Sequence, residues 1–179
     1  MAAIKTHSRP PIRKEDIEAE GDQWGPLFGV PTSWIMAIAK IESGYKPDTV
    51  NWSIRSIPLG GAWGPLQMTK NTANDWAKRL SNNADPYVRE VAGRWRGEGQ
   101  QLVDDLDLAV LFSTAFIGSL KREFGTFALT AAAYHQGAGK IRSMLKEGIS
   151  PADIPMRLPP KGKEYVQLAL AAGSETGAA

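Results

Sequence analysis

A mostly α-helical domain is what this chain predicts, on three observations. Apolar residues recur at three- and four-residue spacing almost throughout the stretch between residues 23 and 170. Only Asn51–Trp63, which contains Pro58, Gly60 and Gly61, resists that period; it reads as a small irregular or β-hairpin insertion. Hydrophobic residues make up 42% of the 179 positions, enough for a real core in a single domain.

The elements follow in order. Pro31 suits the first turn of a helix that Trp34, Ile35, Ile38 and Ile41 continue. Thr69 or Asn71 caps a helix whose inner face is Ala73, Trp76, Ala77 and Leu80. Asp85-Pro86 opens another, with Val88, Val91, Ala92 and Trp95 on one side. Asp104 or Asp105 starts the longest, through Leu108, Leu111, Phe112, Ala115, Leu120 and Phe124, and Gly125 stops it. Thr126 begins a helix running through Ala131–Ala133 to Tyr134. It lacks polar positions around its middle, so it is expected to be the buried central one, broken by Gly137 and Gly139. Ile141, Met144 and Leu145 make a short helix, Ser150-Pro151 caps another turn, and a last helix holds Tyr165, Val166 and Ala169. Residues 1–22 are polar and mixed in charge, with Pro10 and Pro11 adjacent, and read as a flexible arm with at most one short helix at Glu15–Glu20. Residues 171–179 read as a frayed tail, leaving 23–170 as the domain.

Composition removes several classes of chemistry. With no cysteine, disulfides, thiolate-held metals and thiol catalysis are out. Two histidines, His7 and His135, make a histidine-built metal site improbable, so no metal and no cofactor is expected. A formal charge of +2 and the lack of a basic run with interleaved aromatics argue against nucleic acid. No apolar run approaches a membrane span, and Met1–Glu20 has no apolar core of a signal peptide.

Three places can carry chemistry. Ile35, Ile38 and Glu42 stand at i, i+3 and i+7, on one helix face. A carboxyl at the end of an apolar stripe, near the negative end of its helix, is pushed toward its neutral form, which a general acid needs. The alternative is a Glu42 that points outward beside Lys40. In Gly60–Thr69, three glycines permit close backbone approach, Gln67 offers an amide suited to sugar hydroxyls, and Trp63 offers a flat face of the kind that stacks on pyranose rings. The same loop is equally a glycine-rich turn around a core tryptophan. Ala133-Tyr134-His135-Gln136-Gly137 ends the apolar helix, with Tyr134 either a hydroxyl donor to the acid or substrate, or a core tyrosine. His135 has no nearby Ser or Cys elbow to serve as a base.

Glu42-Ser43-Gly44, Pro47, Gly61-Ala62, Gly64, Gln67, Thr72-Ala73, Ala133-Tyr134 with Gly137, and then Leu158-Pro159 and Tyr165-Val166 together resemble the soluble lytic transglycosylases of the lysozyme-like superfamily, over roughly Trp24 to Leu170. The resemblance implies a lysozyme-like helical domain. Its substrate would be peptidoglycan glycan strands, cut at the β-1,4 link between N-acetylmuramic acid and N-acetylglucosamine, with a 1,6-anhydro product. Glu42 matches the single catalytic acid/base. Asn51, Gly64, Gln67, Met68, Thr69, Tyr134, His135, Gln136 and Tyr165 match substrate-cleft positions, Tyr134 at the tyrosine that holds the acid and Tyr165 at the one near it from the last helix. The chain departs from the family pattern at several of these. Asn51 stands where Ser is frequent and is followed by an insertion through Leu59; Thr69 replaces a methionine; His135 and Gln136 replace Asn and Ala; Lys161-Gly162-Lys163-Glu164 replaces Glu-Thr-Arg.

Without a signal peptide, the resemblance further implies a bacteriophage enzyme, made in the host cytoplasm and either released to the wall by a holin or carried in the virion, with 1–22 as a docking arm. Two rivals stand beside it. A muramidase would use water and a second carboxylate, for which Asp48 is the best candidate. A catalytically silent wall-binding module would be consistent with the changes at 51, 69, 135 and 136.

Overall fold

The computed structural model describes residues 12–52 and 57–175. Ten α-helices and one small sheet lie among them: α1 Lys14–Phe28, α2 Thr32–Ser43, β1 Val50–Asn51, β2 Ala62–Trp63, β3 Met68–Thr69, α3 Lys70–Leu80, α4 Pro86–Ala92, α5 Gln101–Asp104, α6 Leu106–Phe124, α7 Phe127–Gln136, α8 Ala138–Lys146, α9 Ile154–Arg157 and α10 Pro160–Glu175. A single 3-10 turn, Ile57–Leu59, precedes β2. No helix of the described residues is long and apolar enough to cross a membrane.

The helix starts are made by the residue types that cap well. Thr69, not Asn71, caps α3 by accepting from the Thr72 N–H; Asp85 caps α4 through the Tyr87 and Val88 N–H groups; Asp105, not Asp104, caps α6 through the Leu108 N–H; Thr126 caps α7 through the Leu129 N–H. Gly125 and Gly137, both with positive φ, end α6 and α7. Gly139, expected to be a breaker, lies inside α8, because one left-handed residue at Gly137 already turns the chain. Ser150 contributes its carbonyl, not its side chain, to the turn that precedes α9.

The most deeply embedded helix is α6 rather than α7. Residues Leu108 to Ala115 are buried in an unbroken run, Ser113 and Thr114 included, and the helix packs against α1, α3, α4, α5 and α7. Helix α7, buried from Leu129 to Ala133, is the hub of the other half, where it meets α8, α9 and α10.

Residues 12–22 differ from the expected arm. They enter helix α1, whose Ile17 and Trp24 are fully buried; the expected arm's first residues, 1–11, lie outside the described residues. Ile17, Gly21 and Trp24 make a buried stripe at helical spacing along a helix whose other residues are mostly polar. At the other end, α10 carries one buried face of Tyr165, Val166, Ala169 and Ala172, so it continues past residue 170 to Glu175. The Asn51–Trp63 stretch contributes two strands to an antiparallel sheet of order β1-β2-β3, whose third strand, Met68–Thr69, runs into the cap of α3.

Candidate active site

Glu42 is the penultimate residue of α2. The helix is held against the core by Ile35, Met36, Ala37, Ile38 and Ala39, all buried, and ends at Gly44 in the left-handed conformation (φ 63°). Ser43, given no role from sequence, anchors that end: its hydroxyl donates to the Ala39 and Pro65 carbonyls (3.1 and 2.8 Å) and accepts from the Lys46 N–H. The carboxyl one residue earlier is thereby fixed in place, facing the protein rather than lying outward beside Lys40.

It faces a cleft of about 570 Å³. One wall is the small sheet. The register sets Asn51, Ala62 and Thr69 side by side across β1, β2 and β3, and all three line the cleft, as a shared sheet face requires. Gln67, Met68 and Thr72 adjoin them; Phe116 of α6 and Tyr134, His135, Gln136, Gly137 and Lys140 of the α7–α8 corner make up the opposite side. Among the described residues Glu42 is the only carboxylate lining the cleft. Asp48, the second carboxylate that a water-using rival needs, is exposed in the loop after α2 and does not line it.

Tyr165 reaches Glu42 from α10, which packs on both α2 and α7. Its hydroxyl donates to Glu42 Oε1 at 2.7 Å, and its ring stacks on His135 at 4.2 Å between centroids and 11° between planes. Burial raises the Glu42 pKa to about 7, and the Tyr165 hydrogen bond, which favours the anion, opposes part of that rise. Burial and the nearby Glu42 charge raise both phenols, Tyr165 well above its ordinary value, so each stays a hydrogen-bond donor through neutral pH. Tyr134 does not hold the acid. Its hydroxyl donates to the Leu66 carbonyl at 2.8 Å and its ring lies against Phe116, so it pins the β2–β3 loop to α7.

Several expected contacts have other employment. Gln67 sits at positive φ (50°), and its side-chain nitrogen donates to the Thr49 and Gly64 carbonyls, both at 2.9 Å. Its carbonyl oxygen is the part that remains for substrate, as an acceptor. The Thr69 hydroxyl is occupied with Thr72, capping α3. Trp63 is not presented to sugar: its indole N–H donates to the Gly60 carbonyl and its ring lies so close to Gly99 that a Cβ there would stand 2.3 Å from it. Gly64 lies outside the cleft lining. It has φ +76°, and a Cβ would meet the Leu102 carbonyl oxygen at 2.3 Å, so it is required for packing of the loop on α5.

Two departures from the family pattern answer each other. A Cβ at Gly162 would fall 2.9 Å from Gln136 Nε2, so the absence of a side chain in Lys161-Gly162-Lys163 makes room for the glutamine. Phe116, Leu59 and Lys140 line the cleft without having been singled out from sequence, and Ala62 and Thr72, quoted there only as motif residues, line it too. Alternation along β2 and β3 would have signalled Ala62; nothing local signals Phe116 or Lys140, which arrive through helix packing.

The family model of the transglycosylase SLT domain matches residues 22–154. The chain belongs to that family. Its fold is the mostly helical, lysozyme-like one with a small antiparallel sheet, as solved structures of relatives also show. The 70-kDa soluble lytic transglycosylase Slt70 of Escherichia coli superposes with a TM-score of 0.68 at 22% identity, over 87% of this chain and 23% of that one. The complex of the 70-kDa soluble lytic transglycosylase with bulgecin A superposes at 0.63, again at 22% identity, over 89% of this chain and 24% of the other. This SLT-family chain therefore spans about a quarter of the length of those proteins. No curated protein sequence matches it.

Proposed function

We propose that this chain is a peptidoglycan lytic transglycosylase that cleaves the β-1,4 bond between N-acetylmuramic acid and N-acetylglucosamine, with Glu42 as its single acid and base. The observation that carries the reading is a half-buried carboxyl, the only one lining the cleft among the described residues, which Tyr165 holds and whose pKa desolvation raises to about 7. A group with that pKa is present in both forms near neutral pH, which suits a residue that must first give a proton and then take one. Protonated Glu42 delivers its proton to the glycosidic oxygen. The 2-acetamido group supports the electron-poor anomeric carbon as the bond breaks. The Glu42 carboxylate, now steadied by the Tyr165 hydroxyl, removes the proton of the muramic acid C6 hydroxyl, which closes on the anomeric carbon in place of water. Because the nucleophile belongs to the substrate, no second carboxylate is needed. The position of Asp48 outside the cleft lining supports this over a muramidase. A wall-binding module without activity has no use for a desolvated, tyrosine-held carboxyl.

The side chains around Glu42 suit a glycan: Asn51, the Gln67 carbonyl, Thr72 and Gln136 are neutral hydrogen-bonding groups, and Phe116 and Met68 offer apolar surface. As setting we propose a bacteriophage enzyme acting on the host wall; a cysteine-free chain suits both the reducing cytoplasm and the oxidising space beyond it. Mass spectrometry of digested peptidoglycan tests the reaction. Muropeptides lighter by one water are expected; reducing ends would overturn the reading in favour of a hydrolase.

A further inference from the structure

We propose that Lys140 makes the cleft prefer glycan strands whose peptide stems carry free carboxylates, by pairing with one of them at the α7–α8 corner. The inference rests on the peptidoglycan reading and adds to it a selection among substrates. Lys140 is the only lysine or arginine lining the cleft among the described residues. Its ammonium is 3.4 Å from Gln136 Oε1, a long contact to a neutral acceptor, and no carboxylate of the described residues is paired with it. The next cation on the same helix differs: Arg142 is held by both oxygens of Glu123.

The position of Lys140 adds to its charge. It is the third residue of α8, whose N-cap is Gly137 and which has neither a side-chain cap nor an acidic residue in its first turn. A cation there is opposed by the positive end of its own helix, so the corner presents two positive sources in one place. Cβ atoms built at Gly137 and Gly139 would meet nothing within 4 Å, which leaves room for an incoming group. Gln136 Nε2 is buried with no hydrogen-bond partner among the described residues, so the corner has donors in excess of acceptors. The sugars of a glycan strand are neutral, and the other polar groups of the cleft answer them. Carboxylates enter such a strand on the stems borne by muramic acid, and they are what an unpaired cation beside the glycan path would meet.

Cosedimentation with insoluble wall sacculi tests this independently of turnover, using the Glu42→Gln protein. One batch of sacculi is native and one has its carboxyls converted to amides with carbodiimide and ammonia; soluble glycan strands serve as competitors, either stem-bearing (cross-links cut by an endopeptidase) or stem-free (stems removed by an amidase, leaving only lactyl carboxylates). Binding to native sacculi is expected to be about fivefold tighter than to the amidated batch, the upper range for an exposed charge pair, and the difference is expected to shrink in high salt. Adding Lys140→Gln should abolish the difference, and Lys140→Arg should keep it. Equal binding to native and amidated sacculi, a preference that survives Lys140→Gln, or stem-free strands competing as well as stem-bearing ones would each overturn the proposal. A digest that releases no anhydro product would instead strike the transglycosylase reading, and leaves the binding comparison intact.

Discussion

Replacing Glu42 with Gln should make the protein more stable above neutral pH while ending its activity. The carboxyl has an ordinary pKa of 4.5 in the unfolded chain and about 7 in the fold, where burial is the main cause. The native state therefore holds a proton more tightly than the unfolded one. Stability from this group is fully present below about pH 4.5 and is lost as pH rises through 7. A difference of roughly 2.5 pKa units corresponds to about 3 kcal/mol at most, as an order of magnitude. Glutamine keeps the shape and the acceptor for the Tyr165 hydroxyl, but has no charge to desolvate. Thermal unfolding of both proteins at pH 4 and pH 8.5 measures this. At pH 4 the two midpoints should nearly coincide; at pH 8.5 the variant should unfold several degrees higher, at about 2–4 °C per kcal/mol for a chain of this size. Coincident midpoints at both values would refute the claim that Glu42 is desolvated at an energetic cost, and with it the reason for assigning it the acid's role.

Tyr165→Phe removes the 2.7 Å bond that favours the Glu42 anion. A hydrogen bond to a charged group contributes about 1.5–3 kcal/mol, so the basic limb of the activity profile should move up by about one to two units, with a lower maximal rate; an unmoved limb would show that the bond is not kept in the working enzyme. Gly64→Ala places a Cβ 2.3 Å from the Leu102 oxygen at a φ of +76°, and is expected to destabilise by more than about 1 kcal/mol, read as a lower urea midpoint. At the far side of the molecule, Glu20 accepts from the Trp24 indole, which also donates to Asp107. Burial, then the Asp107 charge, raises the Glu20 pKa to about 7, so its stabilising contribution is lost as pH rises through that value. Glu20→Gln should raise the unfolding midpoint at pH 8.5 and not at pH 4, by less than Glu42→Gln does, because half-exposed charges are screened.

Legibility from sequence followed the range of the interactions. The caps at Thr69, Asp85, Asp105 and Thr126 are decided by a side chain and an N–H two or three residues on, and each was readable as a single candidate or one of two within two positions of each other. The stop at Gly125 is equally local. Helix α1 was readable only as a short helix at Glu15–Glu20, and its extension to Phe28 was not, because its buried stripe, Ile17, Gly21 and Trp24, is sparse among acidic residues and has meaning only against α2 and α6. The site divides in the same way. Glu42 stood out through its place on an apolar helix face, and Gln67, Met68, Tyr134 and His135 through the joint pattern of motifs. Their partners did not. That Tyr165 rather than Tyr134 holds the carboxyl depends on how α10 crosses α2, and that Trp63 is wedged on Gly99 depends on a loop 36 positions away.

By itself, then, the order of residues determined a helical domain with one small insertion, most of its helix boundaries, its family resemblance and the carboxyl that stands at its cleft. Those properties follow from periodicity and capping, which act within a turn or two, and from a motif order that any contact geometry must carry. The tertiary structure alone decided that Glu42 is desolvated and its pKa raised to about 7, that Tyr165 donates to it, and that Gln67 spends its amide nitrogen on its own loop. It also decided that Lys140 meets the cleft with the Gln136 amide oxygen beside it and no carboxylate of the described residues paired with it. Desolvation and hydrogen-bond direction depend on what lies within a few ångströms in space, and at this site those neighbours come from segments up to 123 residues apart.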